Sequence, residues 1–237
     1  MRILALDSSG LVASVAIVEE EQMIAEYTIN YKKTHSQTLL PMLDEIVKMT
    51  QIDLNSVDAI AVSGGPGSFT GLRIGSATAK GLGLALNKPL IHVKTVEALA
   101  YNLYGTSQIL CPLMDARRNQ VYTGLYEFKG KEFSVLKDQV AISIEEVIEE
   151  LNEIGREVIF IGDGILPNKE ILEEKLQIPY QFAPAHLCRQ RAGAVGALAQ
   201  KYYENGLIES AKEHIPDYLR LSQAEREMQD KLKGKKL

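Results

Sequence analysis

Ser63-Gly64-Gly65-Pro66-Gly67-Ser68-Phe69-Thr70-Gly71-Leu72-Arg73-Ile74-Gly75 follows an apolar run and opens a helix dotted with glycine. Gly64, Gly65 and Gly67 around Pro66 read as a tight turn with backbone angles few other residues tolerate. Ser68 and Thr70 are both suited to cap the helix that follows. In that helix Gly71, Gly75, Ala79 and Gly83 fall four apart and share one face, with Gly81 close by. Each helical glycine costs ~1 kcal/mol relative to alanine, so Gly71, Gly75, Gly81 and Gly83 weaken the isolated helix by roughly 4 kcal/mol. Another backbone or a ligand lying against the bare ridge would offset that cost, and a close helix-on-sheet contact within the fold is an equal alternative for the ridge.

Working outward from this turn, residues 2–7, 12–18 and 23–29 are β-type runs with short polar connections, the pattern of an antiparallel meander. A helix follows, with Thr34 and Gln37 at capping-box spacing, an apolar stripe of Leu39, Leu40, Met42, Leu43, Ile46 and Val47, and Pro41 as a bend or a late start. Asp58 to Ser63 is a short buried strand, and Leu90-Ile91-His92-Val93 another, giving β-β-β-α-β-α-β. A weaker copy follows. Ile109 to Asp115 echoes Ile3 to Asp7, Val121 to Phe128 and Phe133 to Leu136 are its next strands, Ile144 to Ile154 a helix and Val158 to Gly162 a buried strand. Residues 167–176 read as a helix, 177–191 as a loop, and 192–205 as an alanine-rich helix returning to the first half. The division is a first lobe over 1–103 completed by that returning helix, a smaller second lobe over 104–191, and a C-terminal segment with a charged tail over 206–237.

A hydrophobic content of 46% with no apolar run near ~18 residues excludes a membrane-spanning helix, and the first residues read as a strand, so a cytoplasmic protein is expected. The net charge of −5 argues against a chain that grips nucleic acid alone, because that affinity comes mainly from lysine and arginine on phosphates. The basic tail Lys231 to Lys236 reads as solvated. Cys111 and Cys188 are too few and too distant for a disulfide framework, and read as buried free thiols.

The stretch from Ser63 to Gly75 resembles the signature of the bacterial TsaB family, formerly YeaZ. The resemblance extends to Asp7-Ser8-Ser9, His35-Ser36-Gln37 with Leu40-Pro41, Asp115-Ala116-Arg117, and Pro216, Tyr218, Leu219 and Arg220. It implies a duplicated actin-like α/β fold, of the class that includes sugar kinases and Hsp70, with a mixed sheet in each lobe. It also implies a role in making threonylcarbamoyladenosine beside the anticodon of transfer RNAs that read codons beginning with adenine. In that role TsaB members are non-catalytic partners of the similar catalytic subunit TsaD, with the ATPase TsaE. An older name for the wider family is glycoprotease.

An actin-like ATPase needs two glycine-containing phosphate turns, one after the first strand of each half. The first half keeps a partial version, Asp7-Ser8-Ser9-Gly10, in which Asp7, Ser8 and Ser9 are candidates for a degenerate nucleotide site and Asp7, after a buried strand, also reads as a structural turn residue. The second has Asp115 to Gln120 with no glycine. The catalytic paralogue carries two histidines four apart on a helix; here the matching positions hold Val93 and Glu97. His35, His92, His186 and His214 are far apart in sequence, so no metal site is expected. Gly67 to Gly75 contains no P-loop lysine, Thr70 stands where a dinucleotide fingerprint needs its third glycine, and Ser63 and Ser68 read as turn formers rather than nucleophiles.

Partner binding is therefore the leading expectation. The bare ridge of Gly71, Gly75, Ala79 and Gly83, with Leu72, Arg73 and the first-helix residues His35, Leu39, Met42, Leu43 and Ile46, is expected to form a helix-packed interface. It would serve a homodimer of the chain alone and a heterodimer with TsaD, with Arg73 either pairing with a carboxylate across it or solvated. A bulky residue at Gly75 would weaken association and spare folding. No cofactor of its own is expected, ATP or ADP is placed at the complex interface, and tRNA is reached only through the complex. The alternative is an enzyme acting alone, an ATP-using transferase or a peptidase.

Overall fold

The computed structural model describes residues 1–31 and 34–220, so the lysine tail lies outside the described residues. β1 (Arg2–Asp7), β2 (Ala13–Glu19) and β3 (Gln22–Ile29) form the expected antiparallel meander, with Ile3 opposite Val18 and Val15 opposite Tyr27. β1 and most of β2 are buried, which is why their sequences are apolar without alternation.

α1 (Leu39–Thr50) begins later than the Thr34 and Gln37 spacing predicts: His35–Gln37 is a separate 3-10 turn, and Thr34 makes no side-chain cap. Pro41 therefore sits in the first turn, where its missing N–H has no intrahelical partner to lose. β4 (Ala59–Gly65) runs parallel to β1, and α2 (Phe69–Leu86) starts at Ser68, whose hydroxyl accepts the Gly71 amide. β5 (Leu90–Lys94) completes a sheet of order β3-β2-β1-β4-β5. α3 (Thr95–Tyr101) follows β5 directly and was not expected from the sequence.

In the second half the single run expected over 109–115 splits into β6 (Ile109–Pro112) and β7 (Met114–Asp115). β8 (Gln120–Lys129) pairs with β9 (Glu132–Ser143), which runs well past the expected Leu136. α4 (Ile144–Ile154) is closed by a capping box of Ser143 and Glu146. β10 (Val158–Ile161), α5 (Ile165–Lys175), β11 (Tyr180–Phe182) and α6 (Ala192–Glu204) follow; β11 interrupts the expected loop. The hydrogen-bonded sequence β9, β8, β6, β10, β11 repeats that of the first sheet, with β7 as an added edge on β8. The echo between Ile3–Asp7 and Ile109–Asp115 is thus a duplicated topology.

α1 and α2 cover one face of the first sheet, where Leu39, Met42, Leu43, Ile46 and Ala79 pack with Leu6, Val15, Ile60 and Val62. α6 covers the other, with Ala192, Val195, Leu198 and Ala199 against Ile3, Ala5 and Ala61. Each fully buried leucine or isoleucine contributes about 1.5–3 kcal/mol, so these four α1 side chains serve the core and not the interface expected of them. The segment after α6 returns to the first lobe, Glu209 and Leu90 exchanging two backbone hydrogen bonds. Cys111 is buried and its thiol pushed up to about 12 by desolvation, whereas Cys188 is only partly buried, which corrects the reading of two buried thiols. No helix among the described residues is long and apolar enough to cross a membrane.

Candidate functional site

The turn from Ser63 to Ser68 lies where three stretches of the same chain converge. A Cβ at Gly65, whose φ is +128°, would meet the Asp217 carbonyl at 2.2 Å, and one at Gly67 would meet the Ser9 carbonyl at 2.3 Å. The Asp217 amide donates to the Gly64 carbonyl at 2.7 Å and the Ser68 amide to the Ser9 carbonyl at 2.6 Å. The glycine row continues this closure. A Cβ at Gly71 would lie 2.0 Å from the Ser8 carbonyl, one at Gly75 2.5 Å from the Ser8 hydroxyl, and one at Gly83 2.9 Å from Leu90. What lies against the bare ridge is the chain itself, the Ser8 backbone and hydroxyl and the Leu90 side chain. Gly71, Leu72, Gly75, Ala79 and Gly83 are buried inside the protein, which corrects the expectation that they face a second subunit and that a bulky Gly75 would spare folding.

The same closure engages the first phosphate turn. One Asp7 carboxylate oxygen accepts the Ser9 amide and hydroxyl at 2.9 and 2.7 Å, and the other accepts the Ser63 hydroxyl at 2.5 Å. The Ser8 hydroxyl donates to the Gly71 carbonyl at 2.8 Å. Burial raises the Asp7 pKa against the lowering by these hydrogen bonds. All three candidate nucleotide residues thus point their polar groups into the lobe. They act as a brace between β1, β4 and α2, and of the three only Ser9 lines the cleft outside.

That cleft, of about 610 Å³, lies between the lobes. Ser9, Gly10, Leu11, Ser68 and Phe69 line one side, Asp115, Ala116, Arg117, Tyr122 and Asp163 the other, and Tyr218 and Arg220 close an end. His35 contributes through Nε2, 2.9 Å from the Gly10 carbonyl, and so holds the turn after β1. Asp115 accepts the Arg117 amide at 2.7 Å, and Arg220 donates to the Ala116 carbonyl. Asp163 is mostly buried and its pKa is raised, chiefly by desolvation. Sequence reasoning passed over Asp163, although Gly162-Asp163-Gly164 after β10 stands where Gly64 to Gly67 stands after β4.

Comparison with known proteins decides the family. Residues 22–228 match the family model described as TsaD, tRNA N6-adenosine threonylcarbamoyltransferase. The chain is 35% identical over 228 residues to the tRNA threonylcarbamoyladenosine biosynthesis protein TsaB of Bacillus subtilis, covering 95% of this chain and 96% of the relative. The chain belongs to the TsaB family. Among solved structures, YeaZ from Pseudomonas aeruginosa superposes with a TM-score of 0.79 at 28% identity, covering 92% of this chain and 99% of that one. The polyphosphate/ATP-glucomannokinase of an Arthrobacter species superposes at 0.50 with 12% identity, covering 86% of this chain and 99% of that one, a likeness of fold alone. The duplicated actin-like fold is that of this family.

In this TsaB chain the two positions matched to the paralogue's histidines are structural. Val93 is buried in the core, and Glu97 accepts from the Tyr202 hydroxyl and pairs with Lys94 at 3.4 Å. His92 and His214, remote in sequence, do come together, with ring centroids 5.6 Å apart. Within the chain the Arg73 guanidinium lies over the Phe69 ring at 3.9 Å, and its Nε donates to the Tyr218 hydroxyl at 3.3 Å. Of the α2 residues expected at an interface only Arg73 is exposed; it shares the outer face with Thr70, Ala77, Gly81 and Leu84. A Cβ at Gly81 would meet nothing within 4 Å.

Proposed function

We propose that this chain is a non-catalytic partner subunit in the threonylcarbamoylation of tRNA, binding and activating the catalytic TsaD subunit together with TsaE. The observation that carries the reading is the inward engagement of Asp7, Ser8 and Ser9, which commits the first lobe's phosphate turn to holding α2 in place. A transferase working alone would need those groups for its nucleotide. The family membership supplies the pathway.

The contact surface is the outer side of α1 and α2. Leu40 is 53% exposed and Leu84 61% exposed, and Ala77 and Gly81 between Arg73 and Leu84 let a partner helix approach closely. The same face supports a homodimer of the chain alone, exclusive with the heterodimer. The cleft beside it, with Arg117, Arg220 and Asp163, is where ATP or ADP would sit at the complex interface. The net charge of −5 fits a chain that meets tRNA only through the complex, and with no membrane partner it would work in the cytoplasm.

The test is reconstitution. Purified chain with ATP, threonylcarbamoyl-adenylate and substrate tRNA should give no modified base until the catalytic subunit is added; product without it would replace this reading by the stand-alone enzyme. Gly81→Trp should leave the fold intact by circular dichroism and lower association at least tenfold by light scattering. Unchanged association would move the interface off α2.

A further inference from the structure

We propose that His92, Glu209 and His214 form a zinc site that fastens the C-terminal segment onto β5 and α2. The three residues come from distant parts of the chain, and one ligand atom of each lies within 4.8 Å of the others. Two imidazoles and a carboxylate are a donor set that Zn²⁺ favours, and leave one position for water. Tetrahedral bonds of about 2.0–2.2 Å place neighbouring ligand atoms about 3.4 Å apart, so closing the site needs side-chain shifts on the order of 1 Å.

Three independent features indicate a built site. His214 is fully buried and its Nε2 is 2.8 Å from the Ser76 hydroxyl of α2, while Nδ1 is 2.6 Å from Glu209 Oε1. A hydrogen bond on the far nitrogen is the outer partner that fixes the tautomer and orientation of a metal-bound histidine. His92 has no hydrogen bond to its ring among the described residues, although the ring is mostly buried. Its seat is reserved: a Cβ at Gly64 would fall 2.3–2.5 Å from three atoms of the imidazole. Gly64 is therefore glycine to admit that ring. Glu209 is tied to β5 by its backbone pair with Leu90, and Lys80 donates to the His214 carbonyl at 2.9 Å, so both ends of the 209–214 segment are already set against the lobe.

The untagged full-length chain, stripped of metal, should take up one Co²⁺ with the visible absorption of a tetrahedral nitrogen–oxygen site, and one Zn²⁺ should displace it. Zinc at 100 times its Kd should raise the Tm by about 5–10 °C. His92→Gln and Glu209→Gln, each checked for folding by circular dichroism, should lose the absorption and the Tm shift, and Ser76→Ala should weaken binding about tenfold. Absence of both signals in the wild-type chain overturns the proposal, whether or not any variant folds. So does an absorption that survives in both His92→Gln and Glu209→Gln, because the ion would then be held elsewhere.

Discussion

The two lobes share one strand order and the same closing device, yet finish it differently. In the first lobe Gly67 presses on the Ser9 carbonyl just past β1. In the second Gly162, with φ +118°, and Gly164 press on Leu113, just past β6, at 2.2 and 2.9 Å for their hypothetical Cβ atoms. The turn after the fourth strand closes on the exit of the first strand in both halves. The helices that follow differ. α2 lays Gly71 and Gly75 on Ser8, whereas α5 contains no glycine and sends Ile165 and Leu172 into its core. Asp7 is consequently sealed, and Asp115 faces the cleft with a third of its side chain exposed. Side-chain size along one helix face decides which half of a duplicated cleft stays open to a ligand.

This contrast can be broken most sharply at Gly71. Gly71→Val puts a branched side chain into the Ser8 backbone and should cost 3 kcal/mol or more, roughly the upper end for overpacking, by urea denaturation. Gly164→Ala, 2.9 Å from Leu113, should cost about 1–3 kcal/mol; parity of the two would mean the lobes are equally closed. Next is the charge sealed under the first turn. Because the folded pKa of Asp7 is raised, the native state holds its proton longer than the unfolded chain, and stability falls as pH rises from about 3.9 through the raised value. The slope is at most about 1.4 kcal/mol per pH unit, and Asp7→Asn should flatten it in that window by thermal melts across pH. Ser143→Ala, which removes the α4 capping box in the second lobe, should cost about 1 kcal/mol. The smallest effect has the opposite sign: Gly81→Ala on the open side of α2 should gain up to about 1 kcal/mol, and a loss there would mean the outer stripe is not free in the isolated chain.

Much of this architecture was legible in the residues. The meander, the Ser68 cap, α4 and the echo of Ile3–Asp7 in Ile109–Asp115 all follow from periodicity and turn chemistry. α3 escaped because Thr95–Tyr101 is short, abuts β5 without a breaker and is buried all round, so its period has no polar side to show it. β11 is three residues long and owes its strand state to pairing with β10. The misreading of the glycine row has a similar cause. Glycine and alanine mark where something approaches closely, but carry no polarity to tell an inner face from an outer one. Gly75 and Gly81 look alike in sequence while one touches Ser8 and the other nothing. The meeting of His92 with His214 depends on the path of the segment after α6, which no local pattern encodes.

The Asp217 backbone packed on Gly64 and Gly65 also sets an order of events during synthesis. The five strands of the first sheet have all been synthesised by Lys94, but one face waits for α6 at 192–204 and the glycine turn waits for residues 216–218. The amino-terminal half therefore matures last, after the lobe made later can already have folded. Ribosome-bound chains stalled with residue 191 just outside the exit tunnel should show protease resistance across β6–β11 before β1–β5, and resistance of β1–β5 should follow only when α6 and residues 216–218 have emerged.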